Sequence, residues 1–165
     1  MMTDRFKGNG WPVVVHSVRT TIVAIASLLT ARLCRLPEAY WAPITTIVVT
    51  QSSLGAAFTV SWQRFVGTAL GAIAGAIVGS RFGAHPVVFG TCVFFLGLVC
   101  AVTGADRTAY RFAGITLAIV LLIPRTAPAW QVAFHRFAEV TIGIVVALIF
   151  AWVWPEKDPP SSEKS

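Results

Sequence analysis

The sequence predicts an all-α, polytopic membrane protein whose six transmembrane helices form an inverted repeat of three and three. Three observations predict it. The 165 residues are 56% hydrophobic and only 12% charged, with a mean hydropathy of +0.73. Soluble domains run near 45–50% apolar and about 25% charged, so this chain lacks the charge to cover a water-facing surface. Six apolar stretches approach the ~20 residues a helix needs to cross a bilayer. Several short anchors in the first half recur in the second.

This composition excludes a soluble enzyme, a disordered tail and a nucleic-acid-binding domain. The net charge is +6 and the pI near 9.9, but the 13 basic residues are scattered singly, with no stripe for nucleic acid to follow. The lipid bilayer is the expected partner instead. Cys92 and Cys100 share one apolar stretch and Cys34 ends another. They read as small buried hydrophobes, not as a disulfide framework.

In chain order, residues 1–11 are expected to form a cytoplasmic amino-terminal segment and 12–154 the transmembrane domain. The first span, 12–33, contains His16 and Arg19. Arg19 and the lack of a small-residue cleavage pattern argue against a secretory signal. The second, 40–57, opens on Tyr40, Trp41 and Pro43 and fades into Gln51, Ser52 and Ser53. The third, 63–80, is rich in small residues. The fourth, 86–104, follows His85. The fifth, 109–124, has a short apolar core from Phe112 to Ile123 that Pro124 stops. The sixth, 134–154, ends in Trp152 and Trp154. The polar remainder, 155–165, is expected to be a disordered cytoplasmic tail. Tryptophans 11, 41, 62, 130, 152 and 154 all fall near span ends, as an interfacial belt requires. Arg5, Lys7, Arg64, Arg107, Arg111, Lys157 and Lys164 outnumber Arg32, Arg35, Arg81, Arg125 and Arg136 on the other side, which puts both termini in the cytoplasm.

The repeat rests on paired anchors. Gln63-Arg64-Phe65 opens the third span and His135-Arg136-Phe137 the sixth, and each arginine is followed seven residues later by glycine, Gly71 and Gly143. Ala39-Tyr40 pairs with Ala109-Tyr110, and Pro12-Val13-Val14 with Pro86-Val87-Val88. The offsets run from 70 to 74. Three spans is an odd number, so the halves would cross the membrane in opposite senses, a plan recurrent in secondary transporters. Interrupted spans at corresponding positions point to a site in such proteins, here the second and fifth.

Ionisable groups inside spans are costly and usually face a pathway or a partner. Arg19, Arg64, Arg111 and Arg136 are candidates to line a route for anions, with Gln51 and Ser52 at the interrupted second span. Glu139 lies four residues after His135 and three after Arg136, so the three share a helix face. Glu139 and His135 are the proton-coupling candidates. The plainer reading is snorkelling arginines and an intrahelical Arg136–Glu139 pair. Gly67, Gly71, Gly75 and Gly79 recur at spacing four, a ladder that lets another backbone approach closely. The three histidines are too dispersed for a metal cluster, and no Gly-rich loop ends in Lys-Ser/Thr. No catalytic residue, metal or cofactor is expected.

The stretch from Leu36 to Ala76 carries a resemblance. It reads Leu36-Pro37-Glu38-Ala39-Tyr40-Trp41-Ala42-Pro43, then an apolar run to Gln51-Ser52-Ser53-Leu54-Gly55, then Arg64-Phe65-Val66-Gly67-Thr68 and Gly71. This resembles the membrane domain of the fusaric acid resistance (FUSC) or aromatic acid exporter family, over nearly the whole chain; Arg19 and Glu139…Trp154-Pro155 also suit it. The resemblance implies an inner-membrane exporter of aromatic carboxylates or similar toxic anions. Many members have two membrane halves and a soluble region. This chain shows one half, so a homodimer or a partner subunit is expected. An anion channel and a non-transporting membrane scaffold are the alternatives.

Overall fold

The computed structural model describes residues 6–50, 53–104, 106–123 and 126–154. Among them are six α-helices: α1 Phe6–Leu33, α2 Trp41–Val49, α3 Leu54–Phe82, α4 Pro86–Val102, α5 Arg107–Leu122 and α6 Ala129–Val153. Helices α3 and α6 pack on each other at the centre. Helix α5 lies along α3 and α2 along α6; α1 flanks α2 and α6, and α4 flanks α5 and α3.

Local chemistry sets the ends. Ser53 adopts an extended backbone and its Oγ accepts from the Ala56 amide at 3.3 Å, which starts α3 there. Gly83 ends α3 at φ +68°, a conformation glycine takes without a Cβ clash. Pro86 opens α4, where its missing N–H costs nothing. Helices α2 and α5 stop at Val49 and Leu122, and Thr50 and Ile123 after them are both extended.

The packing is inverted relative to a water-soluble protein. Alanines 31, 42, 57, 72, 109, 113, 133, 147 and 151 are buried, whereas Ile22, Ile25, Leu29, Ile73, Ile77, Phe94, Phe95, Phe134, Ile149 and Trp152 are exposed. Helices that meet through small residues and turn large apolar side chains outward suit a lipid surround, since lipid gives no hydrophobic drive for helix association. Three helical segments, Val13–Leu33, Leu54–Phe82 and Ala129–Val153, are long and apolar enough to cross a membrane. Helix α4 is apolar but shorter, at 17 residues.

The sequence-derived boundaries shift at the starts of α1, α3 and α6, the last opening at Ala129 and not at 134. The second apolar stretch is not one span over 40–57. Helix α2 has nine residues, about 14 Å long, and residues 54–62 belong to α3 because Ser53 caps a new helix. Helix α1 starts at Phe6, ahead of the apolar stretch. The tail 155–165 lies outside the described residues.

Candidate functional site

The charged groups buried among the described residues sit on the long helices. Arg19 of α1, Arg64 of α3, and Arg136 and Glu139 of α6 are each at most 6% exposed. Buried ions in an apolar bundle need specific surroundings, and each half of the molecule provides different ones.

On α3, the Arg64 guanidinium lies 4.7 Å from the centre of the Phe112 ring of α5. Its Nε and Nη2 donate to Thr45 Oγ1 of α2 at 3.3 and 3.1 Å. One arginine thus ties three helices together. On α6, the Arg136 guanidinium stacks 3.4 Å over the Trp41 ring of α2. Its Nη1 is 4.0 Å from Glu139 Oε2, and neither Nε nor Nη1 has a hydrogen bond. Glu139 Oε1 accepts from the Glu38 amide at 3.1 Å, and Glu38 Oε2 accepts from Trp41 Nε1 at 2.9 Å. Glu38, Trp41, Arg136 and Glu139 therefore close a ring that fastens the α1–α2 connection to α6.

A cleft of about 720 Å³ opens beside this ring. Pro37, Ala127 and Val132 form its apolar wall. Glu38, Thr126, Gln131, His135 and Arg136 supply its polar groups. Near the start of α3 a smaller cleft, about 290 Å³, lies between Gln63 and Asp106 among others. Gln63 Nε2 donates to Asp106 Oδ2 across it at 2.6 Å.

The predicted residues divide accordingly. Arg19 and Arg64 are buried, His135 is half-buried in the larger cleft, and Glu139 lies beneath it. Arg111 is exposed on α5, although its neighbour Phe112 faces Arg64. Gln51 and Ser52 lie outside the described residues. The four ladder glycines of α3 lie against neighbouring helices. A Cβ built on Gly67 would meet the Ala109 carbonyl oxygen, one on Gly71 the Ala113 carbonyl oxygen, and one on Gly75 would come within 2.8 Å of Val120 Cγ1. A Cβ on Gly79 would lie 2.8 Å from Ala129 Cβ. Gly143 of α6 meets Ala42 and Thr45 of α2 in the same way. No group of three or more His, Cys, Asp or Glu among the described residues is placed to hold a metal ion.

Sequence reasoning did not nominate Trp41, Glu38 or Thr45, and it set Arg136 among the route charges without giving it a binding role. For Arg136 a signal existed, since it corresponds in the sequence repeat to Arg64.

Residues 21–150 match the family described as fusaric acid resistance protein-like. The chain belongs to this family. Three relatives are 28% identical to it. The Inner membrane protein YeeA of Escherichia coli K12 aligns over 87% of this chain and 42% of its own length. A Mycobacterium tuberculosis H37Rv protein bearing the name of an arylamide transporter aligns over 96% and 44%. The Uncharacterized transporter YdhK of Escherichia coli K12 aligns over 85% and 22%. The chain thus spans less than half the length of these relatives. No solved structure matches it. Family, relatives and the lipid-suited surface agree that this FUSC chain is a membrane protein.

Proposed function

We propose that this FUSC chain is an inner-membrane transporter, not an enzyme, that exports aromatic carboxylates or related organic anions. One observation carries the reading. Three arginines are buried in apolar helices against a single buried carboxylate among the described residues. Such groups usually face a pathway or a partner, and an excess of buried positive charge suits an anionic cargo. Arg19 attracts the carboxylate, and Gln51 and Ser52 hydrogen-bond it. Arg64 and Arg111 steer anions at the mouth. Glu139, with His135, is the proton-coupling group. The chain works as a homodimer or with a partner subunit.

The proposal includes six membrane segments in an inverted three-plus-three repeat, with both termini cytoplasmic. Supporting it, Gly71 meets Ala113 and Thr116, whereas Gly143 meets Ala42 and Thr45. Arg64 covers Phe112, and Arg136 covers Trp41. Each pair of positions is 71 or 72 residues apart in the sequence. A two-fold relation between halves exchanges partners in this fashion. Helices α2 and α5 then enter the bilayer as partial segments, with their extended ends at matching places.

The test is flux of a panel of aromatic acids into liposomes containing the purified chain. Arg19→Gln keeps a polar side chain and removes the charge, so transport falls at least about tenfold at equal expression. Arg19→Lys restores part of it, because lysine lacks the planar fork. Full transport by Arg19→Gln removes this residue from the site. Unitary currents indicate a channel, and absence of flux by the chain alone indicates a subunit without transport of its own.

A further inference from the structure

The transport reading uses His135 of the larger cleft for proton coupling and gives the cleft itself no ligand. We infer that this cleft is a further carboxylate-binding site for an aromatic monocarboxylate, with Arg136 as its cation; the inference rests on the transport reading and adds a docking place to the one at Arg19.

Four observations converge on the cleft. Arg136 lines it and is only 2% exposed, yet its Nε and Nη1 have no hydrogen-bond acceptor. A buried guanidinium with donors unmet is a costly arrangement, and a charge-assisted bond to an anion relieves it. The Trp41 ring supports the guanidinium from one side without engaging its N–H groups. That stacking holds the guanidinium beside the cleft without using its N–H groups.

The remaining polar groups are arranged for the same anion. Gln131 and His135 are four residues apart on α6, so both stand over one stripe of the helix beside Arg136. The cleft reaches the start of α6, where Pro128 supplies no side-chain cap. The positive end of a 25-residue helix dipole is therefore close to the docking place. The acid on the wall, Glu38, accepts from the Trp41 indole N–H through Oε2, and its backbone amide donates to Glu139 Oε1.

Size and polarity select the ligand class. About 720 Å³ is within the range of small-molecule sites. Pro37, Ala127 and Val132 give apolar surface for a ring, beside the donors that take its carboxylate. A bare inorganic anion leaves that wall unused, and a neutral aromatic leaves the donors unmet.

The experiment is calorimetric titration of the full chain, in lipid nanodiscs, with benzoate, and with benzamide as the uncharged counterpart. Wild-type protein is expected to bind benzoate and not benzamide. Arg136→Gln weakens benzoate at least about tenfold and Arg136→Lys recovers part of the loss. Gln131 is half-buried at the cleft, so Gln131→Glu folds and places a negative charge beside the ligand; it too weakens benzoate about tenfold. This variant decides the matter if Arg136→Gln fails to fold. Gln63→Ala, in the smaller cleft, leaves the affinity unchanged. Wild-type benzoate affinity in Gln131→Glu and Arg136→Gln overturns the site, as does equal affinity for benzamide. The two readings fail separately. Flux that persists with binding indifferent to Arg136 and Gln131 overturns the site and leaves transport. Arg136-dependent binding in a chain that moves no aromatic acid overturns transport and leaves the site.

Discussion

The arginine of α3 and the arginine of α6 occupy corresponding places and have opposite chemistry. Both lie over an aromatic ring of a shorter helix, and both are followed seven residues later by a glycine against that helix. Arg64 donates twice to Thr45 Oγ1. Arg136 leaves two nitrogens without an acceptor. The cause is visible one turn further on. Gly67 follows Arg64 by three residues and lets the Ala109 backbone of α5 come against α3. The same place after Arg136 is Glu139, whose carboxylate accepts from the Glu38 amide instead. Gly67 lets a backbone touch α3 directly, whereas Glu139 reaches the α1–α2 connection through its carboxylate. The smaller cleft, about 290 Å³, lies beside the first arrangement and the larger, about 720 Å³, beside the second. Glycine three residues after one arginine and glutamate three after the other thus accompany the smaller and the larger cleft.

The comparison breaks most severely at the shared glycines. Gly71→Leu and Gly143→Leu each drive a side chain into a backbone carbonyl that cannot step aside. Overpacking typically costs 1–3 kcal/mol and more where backbone is the obstacle, so each variant is expected to lose about 3 kcal/mol. Thermal unfolding and size-exclusion chromatography in detergent check both. If Gly71→Leu collapses the fold and Gly143→Leu behaves as wild type, the two junctions are not equivalent.

A milder substitution sharpens the difference between the arginines. Thr45→Val removes the hydroxyl that accepts from Arg64 and keeps nearly the same volume. A buried donor left unmet costs about 1–3 kcal/mol, more when charged, so Thr45→Val is expected to lose about 2 kcal/mol. Thr116 holds the corresponding place in the second half, against Gly71, and no arginine bonds to it in the way Arg64 bonds to Thr45. Thr116→Val is expected to cost less than 1 kcal/mol on the same reckoning. Equal losses in thermal unfolding end the argument that Arg64 alone is locked by its threonine.

How much of this was legible in the sequence follows from which interactions are local. The apolar composition announced membrane helices, and the Arg-Phe pairs with their glycines announced corresponding positions. Helix ends were less legible, because the start of α3 depends on Ser53 capping a particular amide. Arg111 and Phe112 are sequence neighbours, yet α5 turns one outward and the other toward Arg64. Successive residues on a helix point about 100° apart, so a boundary error of one residue exchanges them. The apolar stretch around them was too short to fix the face. Arg136 lies close to the start of α6, where a snorkelling arginine is equally natural. Its support, Trp41, is 95 residues away in the chain, and no local pattern pairs them. Glu38, read only as part of the stretch that resembles the family, gained its role when the fold brought its amide to Glu139.

The gentlest change makes the second junction resemble the first at a single ring. Trp41→Phe puts at Arg136 the ring type that Arg64 already has in Phe112. Two interactions weaken. A phenyl face attracts a guanidinium less than an indole face does, and the Nε1 donor to Glu38 Oε2 is removed. Trp41 is half-buried, so water replaces part of that hydrogen bond and the net loss is expected to be about 1 kcal/mol. Stability alone does not separate the ring from the hydrogen bond, and a double-mutant cycle does. Trp41→Phe, Arg136→Gln and the pair together, compared by unfolding in detergent, isolate the term the two side chains share. A coupling of about 0.5–1 kcal/mol is expected from the ring contact. Zero coupling means the 3.4 Å stacking positions nothing, and Arg136 is then held through Glu139 alone. A coupling of the expected size means the indole is the platform that keeps a buried cation aimed at the cleft, the role a phenyl ring and a threonine hydroxyl divide between them at Arg64.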